Sequence, residues 1–330
     1  MNKNLFSQIP SVDKILNDGK VINISRELPH SVVIKVIRNY LSKLRSKIEQ
    51  QEITSVDCDQ IIKTITELLE LEKIPSLQPS VNASGIVLHT ALGRAPLPRT
   101  AIKQLNDTIR HYCTLQIDLE TGERGSRYVH IENLLCEITG AEGAVVVNNN
   151  AAATMLCLNT LAQGKEVIVS RGQLVEIGGS FRIPDIMKRS NAKMVEVGTT
   201  NKTHLFDYEN AITENTALLL HVHKSNYRII GFTSDPSTGE MVKLGNKYNL
   251  PVMEDLGSGA LVDLSKYGLP KEPMIQDSIR LGAAVCCFSG DKLIGGPQSG
   301  VIVGKKEFIQ RIKRNQLTRT FRVCKMTLSA

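Results

Sequence analysis

The sequence predicts an α/β fold: a mostly parallel seven-stranded sheet covered by helices and preceded by a small helical domain. Three observations carry this. Seven short apolar, β-branched runs recur between residues 144 and 303, helical stretches lie between many of them, and the first 75 residues show helical periodicity with one glycine, Gly19. Strands joined by crossovers pair in parallel and are covered on both faces, so their runs are continuously apolar rather than alternating.

In chain order, Ser31–Ile48 sets Val33, Val36, Ile37, Tyr40, Leu41, Leu44 and Ile48 on one helical stripe, with Lys and Arg opposite. Asp57–Glu72 repeats the pattern through Ile61, Ile62, Ile65, Leu68 and Leu69, with Asp57 or Asp59 as its cap. Pro75 and Pro79 end the helical region, so domains are expected at 1–78 and 79–330. From Asn82 the texture changes, and glycines with His89 and Arg94 suggest a loop packed on a core. A helix is expected over Ala101–His111, then a polar loop with Arg124 and Arg127. Strands are expected at Ala144–Val147, Glu166–Ser170, Met194–Val197, Ala217–Val222, Pro251–Met253, Val285–Phe288 and Val301–Val303. Helices at Ala151–Ala162, Phe206–Ile212 and Met241–Tyr248 fall between them.

Composition, 42% hydrophobic and 22% charged over 330 residues, is that of a soluble globular protein. No apolar run approaches the roughly 18 residues that span a bilayer, and the N-terminus lacks the long apolar segment of a secretory signal. Seven cysteines without a C-x-x-C pair build neither a disulfide framework nor a zinc site, so no metal site is expected and a cytoplasmic location is. Cys286 and Cys287 read as packing residues. The net charge of +7 is concentrated: Lys305–Lys325 holds eight Lys/Arg against Glu307. That segment is either a phosphate- or polyanion-contacting surface or a solvated basic helix face.

Ligands of such sheets sit at the carboxyl ends of the strands. After the first strand comes Asn148–Ala153, small residues opening a helix whose free N–H groups suit a phosphate. It is neither G-x-G-x-x-G nor a P-loop. Asp255 follows the strand at Pro251, where a buried carboxylate wants a partner, although a turn-forming Asp is as ordinary a reading. Lys292 lies in the Ser-Gly-Asp-Lys-Leu-Ile-Gly-Gly-Pro loop between the last two strands, and alone it would pass for an exposed loop lysine. Together, a phosphate cradle, an acid and a lysine are what pyridoxal 5'-phosphate requires for its phosphate, ring nitrogen and aldehyde. Their order along the chain is that of the aspartate-aminotransferase-like fold (fold type I).

The runs L-H-T-A-L-G-R-A, V-N-N-N-A-A-A, V-S-R-G-Q-L-V-E-I-G-G-S-F-R-I-P-D, V-G-T-T-N-K-T-H, D-L-G-S-G, F-S-G-D-K-L-I-G-G-P-Q-S-G and K-M-T-L resemble the bacterial L-seryl-tRNA(Sec) selenium transferase (selenocysteine synthase) family, from about Phe6 to the last residue. Ala91 and Gln173 stand where that family usually has Asn and Glu. The family continues into a small C-terminal α/β domain, and the resemblance implies a chain truncated before it. The resemblance implies conversion of seryl-tRNA(Sec) to selenocysteinyl-tRNA(Sec) with selenophosphate, through β-elimination to an aminoacrylate. Lys292 would bind the cofactor covalently and act as the Cα base, Asp255 would keep its ring nitrogen protonated, and Asn150, Ala151, Ala152 and Ser289 would hold its phosphate. Arg94, Arg127, Arg319 and Arg322 correspond to arginines lining the family's active site and would face the anionic donor. Asp291 would orient the lysine or assist proton transfer, and Arg171 would lie near the cofactor ring. The resemblance also implies tRNA contacts by the N-terminal helices and a homodecamer, with no membrane or DNA partner. Residues 1–75 hold eleven basic and ten acidic side chains, so net charge adds nothing to the RNA reading. Two alternatives stay open: another fold-type-I lyase acting on a free amino acid, and a truncated, non-catalytic remnant that binds RNA or other subunits.

Overall fold

The apolar stripes of the N-terminal region meet in one core. The computed structural model describes residues 3–179 and 181–330, so Met1, Asn2 and Ser180 of the stretches named above lie outside the described residues. Contacts divide the chain into Met1–Val81 and Asn82–Ala330. In the first unit, helices His30–Glu49 and Cys58–Glu72 bury Val33, Ile37, Leu41, Leu44, Ile48, Ile61, Ile65 and Leu69 against the short helices Val12–Leu16 and Gly19–Ser25. Asp57 caps the second long helix by accepting from the Asp59 N–H, and Asp18 likewise caps the helix that starts at Gly19.

In the second unit the strands are β1 (Gly143–Val147), β2 (Glu166–Ser170), β3 (Glu176–Ile177), β4 (Phe181–Arg182), β5 (Lys193–Val197), β6 (Thr216–Val222), β7 (Val252–Gly257), β8 (Val285–Ser289) and β9 (Gly300–Gly304). All seven expected runs enter one sheet of order β1-β9-β8-β7-β6-β2-β5. β5, β2, β6, β7 and β8 run parallel, and β9 is antiparallel to both its neighbours, β1 and β8. The β3–β4 hairpin is an addition that its two-residue strands concealed in the sequence.

Alternate residues of each strand feed opposite faces. Val145, Val147, Val167, Val169, Leu218, Leu220, Met253, Val285 and Cys287 share a core with helix Asn150–Ala162 and with Ile309 and Ile312 of helix Lys306–Arg314. Ala144, Val146, Cys286, Phe288, Val301 and Val303 pack on the other face with Leu135 and Ile275. β7 runs on to Gly257, past the expected end at Met253, because Glu254 and Asp255 are both buried and both hydrogen-bonded. Asp255 is therefore a strand residue rather than a turn residue. The stretch 82–125 behaves differently: it holds a short 3-10 helix, Thr90–Leu92, and one α-helix, Arg99–Ile109, neither with a buried residue, and leaves Val87, Tyr112 and Leu119 exposed.

Candidate active site

The carboxyl ends of β6, β7 and β8 and the start of helix Asn150–Ala162 enclose a cavity of about 250 Å³. Asn149 extends the backbone beyond β1 and caps the helix, its side chain accepting from the Ala152 N–H at 2.8 Å. Gly300, where β9 begins, passes so close to Asn149 that a Cβ would overlap its carbonyl. The helix start is thereby held against the sheet, with Asn149, Asn150 and Ala151 lining the cavity.

Asp255 sits at the centre. Its Oδ1 accepts from Asn150 Nδ2 at 2.8 Å and its Oδ2 from Thr154 Oγ1 at 3.1 Å. Burial pushes its carboxyl above the usual aspartate range, against the pull of Asn150, Thr154 and Lys292. Lys292 enters from the loop after β8, which is pinned by the Leu293 N–H to Ser258 O (3.2 Å), the Gly290 N–H to Ser299 O (2.9 Å) and the Gly295 N–H to Lys292 O (3.0 Å). Burial, then the neighbouring Arg94, lowers its amine below the usual lysine range, opposed by Asp255 and Asp291. Arg94 donates to Asp291 Oδ2 at 2.7 Å, so Asp291 is committed to an ion pair while its Oδ1 is buried without a partner. Arg94 itself adopts φ +63°, a conformation that costs a non-glycine residue about 1 kcal/mol or more. Such strain concentrates where a side chain must be aimed.

The cavity thus brings together Arg94, Asn150, Ala151, Asp255, Ser289, Asp291 and Lys292. Other expected residues are placed elsewhere. The Ala152 N–H is taken by Asn149, and Asn150 spends its amide on Asp255, which leaves only its backbone for a phosphate. Arg171, expected beside the ring, is exposed and turned away: it donates to Gly198 O at 2.5 Å and pairs with Glu196 at 3.3 Å. Arg127, Arg319 and Arg322 line a second cavity of about 250 Å³ together with Arg124 and Gln116. There Arg127 is buried, donating to Val323 O and Gln116 Oε1, both at 2.8 Å. Burial, then the charges of Arg322, Arg124 and Arg319, pulls its guanidinium below the usual arginine range. Within one chain these three arginines converge on each other, and Arg94 alone of the four lines the Lys292 cavity.

Sequence reasoning passed over Thr154, His223 and Ser225. The second and third follow β6 in the run H-V-H-K-S-N, and the strand-end rule applied to β6 would have found them. Thr154 lies one helical turn beyond Asn150, a spacing without signal until Asp255 is placed opposite. Gln173, fully buried, accepts from the Val222 N–H at 2.9 Å and donates to Asp235 Oδ1 at 3.4 Å. An amide serves both partners, which is why Gln is accommodated there.

A buried carboxylate, a half-buried amine and free N–H groups at a helix start, with unpartnered Asn150 Oδ1 and Asp291 Oδ1, fit pyridoxal phosphate. Residues 80–330 match the family described as L-seryl-tRNA selenium transferase, and residues 6–45 match the selenocysteine synthase N-terminal family. The L-seryl-tRNA(Sec) selenium transferase of Caldanaerobacter subterraneus subsp. tengcongensis is 55% identical over 99% of this chain and 71% of its own length. That of Clostridium botulinum (strain Okra / Type B1) is 52% identical with the same coverage. Among solved structures, a D-glucosaminate-6-phosphate ammonia-lyase superposes with a TM-score of 0.58 at 20% identity, covering 73% of this chain and 63% of its own. A Thermus thermophilus aspartate aminotransferase double mutant gives 0.50 at 14% identity, covering 71% and 60%. These two share the fold.

Proposed function

The chain belongs to the L-seryl-tRNA(Sec) selenium transferase family, and we propose that it replaces the hydroxyl of serine carried on tRNA(Sec) with selenium, using pyridoxal phosphate held in the Lys292 cavity. The observation that carries this reading is the convergence of Asp255, Lys292 and a helix start on one cavity. The bound cofactor supplies an electron sink that lets a Cα–H bond and the β-hydroxyl of serine break. Everything else falls to the chain's own side chains.

Asp255, fixed by Asn150 and Thr154, presents a carboxylate that favours a protonated ring nitrogen. Lys292, whose amine burial and Arg94 hold below the usual lysine range, would hold the cofactor at its aldehyde and serve as the base for the Cα proton. Asp291 pairs with Arg94 and keeps it aimed into the cavity beside the lysine. The backbone of Asn150 and Ala151, with Ser289, holds the cofactor phosphate.

Selenophosphate is the selenium donor in this reading, and Arg127, Arg319 and Arg322 are its anion site. The helices of the first unit contact the tRNA by shape and by a few Lys and Arg side chains. A homodecamer is the proposed assembly and the cytoplasm the proposed location. Exposed apolar residues at Val87, Tyr112 and Leu119 support burial of this stretch against other copies. The test is conversion of seryl-tRNA(Sec) with selenophosphate by this chain. Turnover of free amino acids without any affinity for seryl-tRNA would replace this reading with that of a lyase.

A further inference from the structure

The cofactor reading leaves one flank of the ring without a protein partner, and the sheet order identifies what lies there. β1, β9, β8, β7 and β6 stand side by side. The proposed phosphate contacts come from the β1 end, at Asn149–Ala151, and from Ser289 at the end of β8, on one side of β7. Asp255 on β7 takes the ring nitrogen and Lys292 the aldehyde opposite it. In pyridoxal phosphate the 3-oxygen and the phosphate arm lie on opposite sides of the nitrogen-to-aldehyde axis. The 3-oxygen therefore falls toward β6.

At the end of β6, Val222 pairs with Asp255, and the His223 N–H donates to Asp255 O at 2.9 Å. His223 lines the cavity. Its Nδ1 is buried with no protein partner, and so is Oε2 of Glu272, which stands 3.9 Å from His223 Nε2. His223 also lines a neighbouring cavity together with Glu272, and its unpartnered Nδ1, beside the Lys292 cavity, signals an absent partner. The Glu272 carboxylate opposite Nε2 orients the ring, which leaves Nδ1 to hydrogen-bond an oxygen of the cofactor.

We propose that His223 binds the 3-oxygen of the cofactor ring, with Glu272 acting through His223 as a positioning residue. The proposal rests on the cofactor reading above and adds a contact to it. Affinity of the full chain for pyridoxal phosphate and for its 3-deoxy analogue, followed by fluorescence titration, tests it. The unaltered chain should prefer the natural cofactor by about tenfold, the scale of one charge-assisted hydrogen bond. His223→Phe should erase that preference, and Glu272→Gln should cut it at least in half. An unchanged preference in His223→Phe, or an equal loss for both compounds, overturns the proposal, since a packing role weakens both alike. Where His223→Phe does not fold, Glu272→Gln decides, and an unchanged preference there overturns the dyad. If the unaltered chain binds neither compound, or if Lys292→Ala keeps the visible band of the attached cofactor, the cofactor reading itself fails and this proposal with it.

Discussion

The cavity around Lys292 mixes cations with carboxylates, whereas the cavity around Arg127 sets like charges together. In the first, Arg94 pairs with Asp291, and Asp255 is hydrogen-bonded by Asn150 and Thr154 with the Lys292 charge nearby. In the second, Arg124, Arg127, Arg319 and Arg322 face common space, and burial, then the charges of Arg322, Arg124 and Arg319, lowers the Arg127 guanidinium. The difference teaches what each is ready to hold. A cavity of balanced charges suits a ligand with both signs and a buried proton. A cavity of like charges carries repulsion that an anion relieves.

The largest effect that separates the two is expected from Lys292→Ala. Activity should fall by about three orders of magnitude or more, and the visible band at roughly 420 nm, reducible with borohydride, should vanish. A band that persists would mean another amine attaches the cofactor.

Asp255→Asn should cost about a hundredfold or more in turnover, because the developing charge loses its counterion. It also changes the pH dependence of the ligand-free chain. Burial raises the Asp255 carboxyl above its unfolded value of 3.8, so the folded form holds this proton more tightly than the unfolded form. Its contribution to stability is fully present below 3.8 and is lost as pH rises through the raised folded value. Asp255→Asn should therefore flatten the fall in thermal stability over that window. Melting curves of the two proteins across acidic pH that run parallel would refute it.

A smaller effect is expected in the arginine cavity. Arg319→Ala should weaken selenophosphate use by about tenfold, as for one charge-assisted contact, and leave the visible band untouched. Inorganic phosphate should raise the melting temperature of the unaltered chain more than that of the variant. Loss of the cofactor band would place Arg319 in the Lys292 cavity instead.

The smallest expected change is in Gln173→Leu, which leaves the buried Val222 N–H unpaired at a cost of about 1–3 kcal/mol. Denaturant midpoints measure it. No loss would show that the end of β6 does not depend on this amide.

Much of this was legible from residue types alone. Val167–Val169 and Leu218–Leu220 read as buried strands because parallel strands covered on both faces need continuous apolar runs. Lys292 and Asp255 were legible as a pair through their order behind a helix-opening Asn-Asn-Asn-Ala run. β7 was harder to bound, since Glu254 and Asp255 look like a strand end until partners from helix Asn150–Ala162, from Thr238 and from His221 are brought to them.

By itself, then, the sequence determined the fold class, the seven strands and the acid and lysine of the cavity, because periodicity and strand-end position are local properties of the chain. Only the tertiary structure decided that Asn150 serves Asp255 with its side chain, that Arg171 turns to Glu196, and that Arg127, Arg319 and Arg322 gather apart from Lys292. It alone set Glu272 opposite His223. Each of these joins residues far apart in sequence, and such pairings follow from how strands and helices are ordered in space, which no local pattern records.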